Sequence, residues 1–164
     1  MSTLTFREEV TLQDTNTVRQ IVKHTEFFSS EEELIAVSLV QERLEQGVNS
    51  GYLFVFAQQE DHIVGYSCYG PIPGTLNGFD LYWIAVDPEF QRLGTGRRLL
   101  AFTEQRVVEM GGKRLYAETS STARYAPTRA FYEHHGFILE GRLAHYYAPE
   151  DDKLMYVKYL ERQR

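Results

Sequence analysis

An apolar run, Phe79–Val86, leads through "DPEFQRLGTGRRLL" (87 to 100) into a helical pattern, and that pattern leads into a second β-rich run, 113 to 119. Strand, helix and strand in that order should pair in parallel through a right-handed crossover. The rest of the chain must be arranged around that unit. Leu99, Leu100, Thr103, Val107 and Met110 keep one helical face until Gly111 and Gly112 stop the helix. Two further glycines, Gly94 and Gly96, stand at the junction where the strand becomes the helix. Glycine weakens either element, so a pair at this place implies a tight turn or a ligand that approaches the backbone closely.

Upstream, "LTFREEV" (4 to 10) reads as a strand, and Thr11 with Asp14 predicts a capped helix carrying Val18, Ile21 and Val22. Ser30 with Glu33 predicts a second, with Leu34, Val37, Val40 and Leu44 at helical spacing and Gly47 near its end. Residues 52 to 70 hold two β-rich runs around the polar tip Gln58 to His62, and the turn 71 to 78 joins them to Phe79–Val86. Downstream, a short helix from about Pro127 to His135 ends at Gly136, and strands near 137 to 147 and 153 to 160 flank the turn Pro149 to Asp152. The order β-α-α-β-β-β-α-β-α-β-β gives an α/β (α+β) fold. Its centre is a mixed, mostly antiparallel twisted sheet of about seven strands, flanked by about four helices. A length of 164 residues fits one domain, 1 to 164, better than two.

A helix N-terminus exposes unpartnered N–H groups and partial positive charge, so the Gly94–Gly96 junction, with Arg92, Arg97 and Arg98 nearby, suits a phosphate. A purely structural turn is the competing reading. The spacing is not G-x-x-x-x-G-K-S/T, and Leu99 occupies the last glycine position of G-x-G-x-x-G, so nucleoside triphosphate and dinucleotide sites lose their main support. A formal charge of −6 argues against nonspecific nucleic-acid binding. No apolar run reaches membrane-spanning length and no secretory leader precedes the first strand, so a cytoplasmic protein without membrane contact is expected. Cys68 is the single cysteine, and no histidine pair has ligand spacing, so neither a disulfide nor a metal is expected. His134 and His135 end a helix, where a structural role suits the dipole. Ser120 and Ser121 lie outside any nucleophile motif.

Gln91-Arg92-Leu93-Gly94-Thr95-Gly96 resembles the acyl-CoA motif Q/R-x-x-G-x-G/A of the GNAT acetyltransferase superfamily, and "LYWIAVDPEF" and "YAPTRAFYEHHGF" resemble the segments around it in the same order. The resemblance implies a GNAT fold and an acetyl-CoA-dependent N-acetyltransferase. It places the coenzyme's pyrophosphate on Gln91, Arg92, Leu93, Gly94, Thr95, Gly96 and Arg97, and its pantetheine arm along Ile84, Ala85 and Val86. A free amide on that strand, exposed by a β-bulge, would serve the oxyanion. Tyr132 matches the tyrosine that many members use to protonate the departing thiolate; a phenol and an aliphatic thiol differ by only about 1.5 pKa units when unperturbed. Asp80 aligns with the strand carboxylate that some members use as base, although it lies six residues, about 20 Å of strand, from Val86. Tyr82 is its rival for positioning a water or the acceptor. Tyr125 stands where many members carry an asparagine that contacts the cofactor.

The expected partners are acetyl-CoA and an amine, first a small-molecule primary amine, then a protein N-terminus or lysine. Neither nucleic acid nor a membrane is expected, and a homodimer is compatible with the sequence. Transfer is expected to be direct, within a ternary complex, because Cys68 lies outside the motifs. A noncatalytic acyl-CoA sensor and a structural phosphate-binding domain are the alternatives from other classes. The acidic runs Glu31 to Glu33 and Glu150 to Asp152 read as a helix start and a turn, or as a lure for a cationic acceptor.

Overall fold

In a computed structural model, which describes residues 3–160, the strands are β1 (Leu4–Arg7), β2 (Leu53–Gln59), β3 (His62–Pro71), β4 (Gly78–Val86), β5 (Arg114–Ser120), β6 (Ile138–Ala148) and β7 (Asp151–Tyr159). The helices are α1 (Asp14–His24), α2 (Ser30–Gln46), α3 (Thr95–Glu109) and α4 (Ala126–His134). The strands form one sheet in the order β1-β2-β3-β4-β5-β7-β6. β4 and β5 pair in parallel, as the crossover demands, while β1/β2, β2/β3, β5/β7 and β6/β7 are antiparallel. The mixed sheet and four helices are those read from the sequence.

The chain forms two compact units, one comprising the residues up to Gly70 with Leu81–Arg106, the other Pro71–Asp80 with the residues from Val107 onward. In the first, Val18, Ile21 and Val22 of α1 and Ala36 and Val40 of α2 pack on Phe54 and Phe56 of β2, Tyr66 and Cys68 of β3 and Ala85 of β4. Each large apolar side chain taken fully from water there contributes about 1.5–3 kcal/mol. α3 is tied to β3 by a buried hydroxyl pair, Ser67 with Thr103 at 2.7 Å. In the second unit, β5 alternates: Leu115, Ala117 and Thr119 are buried while Arg114, Tyr116 and Glu118 are not. The ring of Tyr132 on α4 lies between those of Phe137 and Tyr156, with centroids at 5.1 and 5.9 Å.

Several local readings are corrected. The capping box of α2 is Ser29 with Glu32, one residue earlier than Ser30 with Glu33. The shifted helix buries Ala36, Val37 and Val40 and leaves Leu34 66% exposed. At α1, Thr11 does not cap: Gln13 holds the cap position without a side-chain bond. Asp14 instead accepts from the Thr11 N–H at 2.6 Å and pairs with Arg7 at 2.8 Å. β1 ends at Arg7, whose backbone still pairs with Phe56 while its guanidinium reaches Asp14 of α1, rather than running on to Val10. Met110 falls beyond the last turn of α3 and is 48% exposed.

The glycines that stop α3 have different tasks. Gly111 is left-handed, φ 86°. Gly112 is there for space: a methyl group on it would lie 2.3 Å from Val107 Cγ1 and 2.8 Å from Phe79 Cδ2. Gly112→Ala is expected to cost about 1–3 kcal/mol, the range for overpacking a tight core. Thermal unfolding should show a midpoint lowered by roughly 3–10 °C.

Candidate active site

The stretch from β4 to α3 is built almost wholly from backbone geometry. Asp87 ends the strand, accepting from the Glu89 N–H at 3.1 Å and pairing with His24 at 3.1 Å, and a short 3-10 turn Pro88–Phe90 follows. The Gln91 side-chain amide turns back and donates to the Val86 carbonyl at 2.9 Å, so the loop is fastened to the strand that precedes it. Arg92 and Gly94 are then left-handed, with φ of 64° and 78°. For arginine that conformation costs about 1 kcal/mol or more, and left-handed residues of this kind occur in the backbone nests that bind anions. Thr95 is buried and opens α3, whose first turn is closed by Arg98 N–H to Gly94 C=O at 3.0 Å. Arg92, Leu93, Arg97 and Arg98 are exposed. A methyl group on Gly94 would meet only the Arg97 Nη2 atom, at 3.9 Å. The space beside this glycine is therefore open, and its packing alone does not require glycine.

β4 itself carries a bulge. The Ile72 N–H donates to the Gly78 carbonyl at 2.9 Å and the Asp87 N–H to the Val64 carbonyl at 2.8 Å. From Gly78 to Asp87 is nine steps along β4, but from Val64 to Ile72 only eight along β3, so β4 holds one residue more than the strand it pairs with. Close approach of the two strands is permitted by Gly65, where a methyl group would stand 2.9 Å from the Ala85 carbonyl. The parallel ladder with β5 occupies only Gly78–Asp80 against Arg114–Tyr116; Leu81–Val86, which includes Ile84, Ala85 and Val86, lies beyond its last rung. Tyr82 is 37% exposed and meets Tyr52 edge-on at 5.2 Å.

A family model described as the Acetyltransferase (GNAT) family matches residues 16–137. A solved structure from Desulfovibrio desulfuricans, of a protein assigned to the GNAT family, is 46% identical, with 96% of this chain and 99% of that chain covered at a TM-score of 0.92. The chain belongs to the GNAT acetyltransferase family. The ribosomal-protein-S18-alanine N-acetyltransferase of Escherichia coli shares the fold at 23% identity and a TM-score of 0.76, covering 99% of this chain and 97% of that one. An aminoglycoside 6'-N-acetyltransferase complexed with coenzyme A does so at 18% identity and 0.75, covering 98% and 99%. No curated protein matches the chain. As a GNAT enzyme it uses acetyl-CoA as cosubstrate, and an open, left-handed, cation-flanked helix start suits the coenzyme's diphosphate.

In the second unit, Asp80 lines a depression of about 310 Å³ together with Ile72, Thr75, Arg114, Tyr116, Glu118 and Met155. Burial, followed by the repulsion of Glu118, raises its carboxyl to about 6, against the partial relief given by Lys153. Lys153 pairs with Glu118 at 2.9 Å, its ammonium 4.5 Å from the Tyr146 ring centroid. Arg114, Glu118 and Lys153 were missed by sequence reasoning. The alternation of polar 114, 116 and 118 with apolar 115 and 117 could have shown that β5 presents a polar face beside Asp80.

Tyr132 is buried, and burial pushes its phenol well above the ordinary value. Tyr125 occupies the cap position of α4, its N–H bonded to the Thr122 carbonyl at 3.1 Å. His135 Nδ1 lies 2.7 Å from the Phe131 carbonyl, a helix-ending contact. Cys68 is fully buried and its thiol is pushed up, which leaves little thiolate. Asp152 is matched by Arg142 at 2.5 Å and by the His145 N–H at 2.8 Å, so it is not available to attract a cation. Among the described residues no group of three or more His, Cys, Asp or Glu side chains is placed to hold a metal, and no helix is long and apolar enough to cross a membrane.

Proposed function

We propose that the chain acts as one catalytic domain, 1 to 164, that moves the acetyl group of acetyl-CoA to the primary amine of a small molecule by direct attack in a ternary complex. The left-handed loop Gln91–Arg97 at the start of α3 carries this reading. In it the diphosphate rests on the loop amides, and the pantetheine arm adds to β4 along Ile84–Val86 as an extra strand. The amine nitrogen attacks the thioester carbon, and a carbon–nitrogen bond forms as the carbon–sulfur bond breaks. An amide released by the β4 bulge donates to the transient oxyanion. Asp80, directly or through a water that Tyr82 helps to hold, accepts the proton given up by the amine. Tyr132 donates to the departing thiolate and is reprotonated from solvent. Because burial holds the phenol protonated, it stays a donor through the neutral range. The same shift widens the gap to the thiol beyond about 1.5 units, which favours hydrogen-bond donation ahead of complete transfer.

A sensor that only binds the coenzyme has no use for a buried phenol and a raised carboxyl, and a depression of about 310 Å³ is of a size for a small molecule. Purified protein mixed with acetyl-CoA and a panel of small amines and short peptides should release thiol with the small amines. Release with peptides alone would replace the acceptor class, and coenzyme binding without release from any amine would leave a sensor.

Asp80→Asn separates activity from stability. An acid whose folded pKa is raised, here from 3.8 to about 6, is stabilised by its proton. Its ionisation is therefore opposed by the fold, and stability falls as pH rises from about 4 through 6. The variant is expected to be more stable above pH 6, by about 1 kcal/mol once the half-exposed position is discounted for screening, or roughly 2–4 °C. That gain should vanish near pH 4. The acetylation rate of the native protein should rise through pH 6, and the asparagine variant should lose that limb along with about tenfold in rate at pH 7.

A further inference from the structure

The depression around Asp80 holds more charge than proton transfer requires. Arg114 and Glu118 line it with Asp80, Met155 and Tyr116. Glu118 is neutralised by Lys153 at 2.9 Å, an ion pair between strands β5 and β7. Setting that pair aside leaves one anion and one cation. The Asp80 carboxylate accepts no hydrogen bond and makes no ion pair among the described residues. The Arg114 guanidinium donates to the Leu76 carbonyl at 2.6 Å but meets no carboxylate among them. The two are not paired with each other. In register Asp80 stands beside Tyr116, and Arg114 is two residues earlier on the same face of β5, about 7 Å along the strand. A half-buried carboxylate without a partner is costly, and here a guanidinium free of any carboxylate among the described residues lines the same wall.

We propose that the acceptor is a zwitterion of the amino-acid type, its ammonium set against Asp80 and its carboxylate against Arg114, with the side chain on Tyr116 and Met155. This rests on the depression being the acceptor site of the acetyltransferase. A simple monoamine would leave Arg114 unmatched. A polyamine would bring a second cation toward Arg114 when Glu118 is already occupied by Lys153. A peptide N-terminus supplies the ammonium but carries an amide where the carboxylate should be. A depression of about 310 Å³ is at the small end for ligand sites, which suits a single amino acid.

The test compares free amino acids, their methyl esters and the matching decarboxylated amines as acceptors, with thiol release as readout. The free acid should be favoured by about 10- to 100-fold in kcat/KM, the range of one charge-assisted contact. Arg114→Gln should bring the ratio of acid to ester to about one, and Arg114→Lys should restore part of it, which a purely structural role at the Leu76 turn would not do. Esters or amines that match the acid on the native protein overturn the zwitterion while leaving the acetyltransferase standing. If no acceptor of any kind releases thiol, the enzymatic reading fails first. Calorimetry of free amino acids against the coenzyme-loaded protein then decides the depression: binding weakened in Arg114→Gln supports the proposal, and no binding ends it.

Discussion

Replacing Tyr132 by phenylalanine is expected to leave coenzyme binding within about twofold of native and to lower turnover by about 10²–10⁴, the usual share of a positioned proton donor. The ring is what the fold uses. It packs between Phe137 and Tyr156, and its aromatic contacts survive the loss of one oxygen. Thermal stability should accordingly be unchanged or slightly raised, since a buried hydroxyl is desolvated at a cost. Three measurements then separate roles that a single activity assay would confuse. Turnover lost with binding and stability intact identifies a group acting on the departing thiolate. Binding and turnover lost together would make Tyr132 a wall of the coenzyme site, and turnover retained would remove it from the chemistry. A further check uses the leaving group: a thioester whose thiol is more acidic needs less help, so the deficit of the variant should shrink with it.

How far such residues can be read from sequence depends on where their partners are. Element order was legible because apolar spacing repeats within one element: Val18, Ile21 and Val22 share a face by helical period, and Leu115 and Ala117 by strand period. The glycine loop was legible because its property is local, a backbone that must turn left-handed at Gly94. Register was less so. The doublet Ser29-Ser30 ahead of three glutamates offers two capping boxes one residue apart, and only the packing of Ala36, Val37 and Val40 selects between them. The same limit hid Arg7, whose guanidinium reaches from the end of β1 to Asp14, and the Glu118–Lys153 pair, joined across strands 35 positions apart in the chain. A bulge in β4 was anticipated from chemistry, but its existence follows only from counting against β3. Charge pairing between strands is a property of register, and register is fixed by the whole sheet.

Gly94→Ala should do little to the fold and much to the coenzyme. The added methyl has open space, its one neighbour being Arg97 Nη2 at 3.9 Å, so the structural cost is the left-handed backbone itself, φ 78°. That strain is about 1 kcal/mol, or roughly 2–4 °C in the unfolding midpoint. If the loop grips a diphosphate through its amides, a methyl projecting into the space they face holds the phosphate off, and two charge-assisted hydrogen bonds at about 1.5–3 kcal/mol each are weakened together. Affinity for coenzyme A is then expected to fall by about 10²–10⁴. Gly112→Ala is the control with the opposite profile, since its methyl is blocked at 2.3 Å by Val107 and Gly112 is no part of the loop: stability drops, and affinity of the folded protein holds. A structural turn predicts something else for Gly94, a modest loss of stability with coenzyme affinity untouched. Calorimetric titration of both variants at a temperature where each is folded distinguishes the two. Unaltered affinity in Gly94→Ala would mean that the glycine is there for the turn alone, and the diphosphate would have to be held by something other than the backbone at the start of α3.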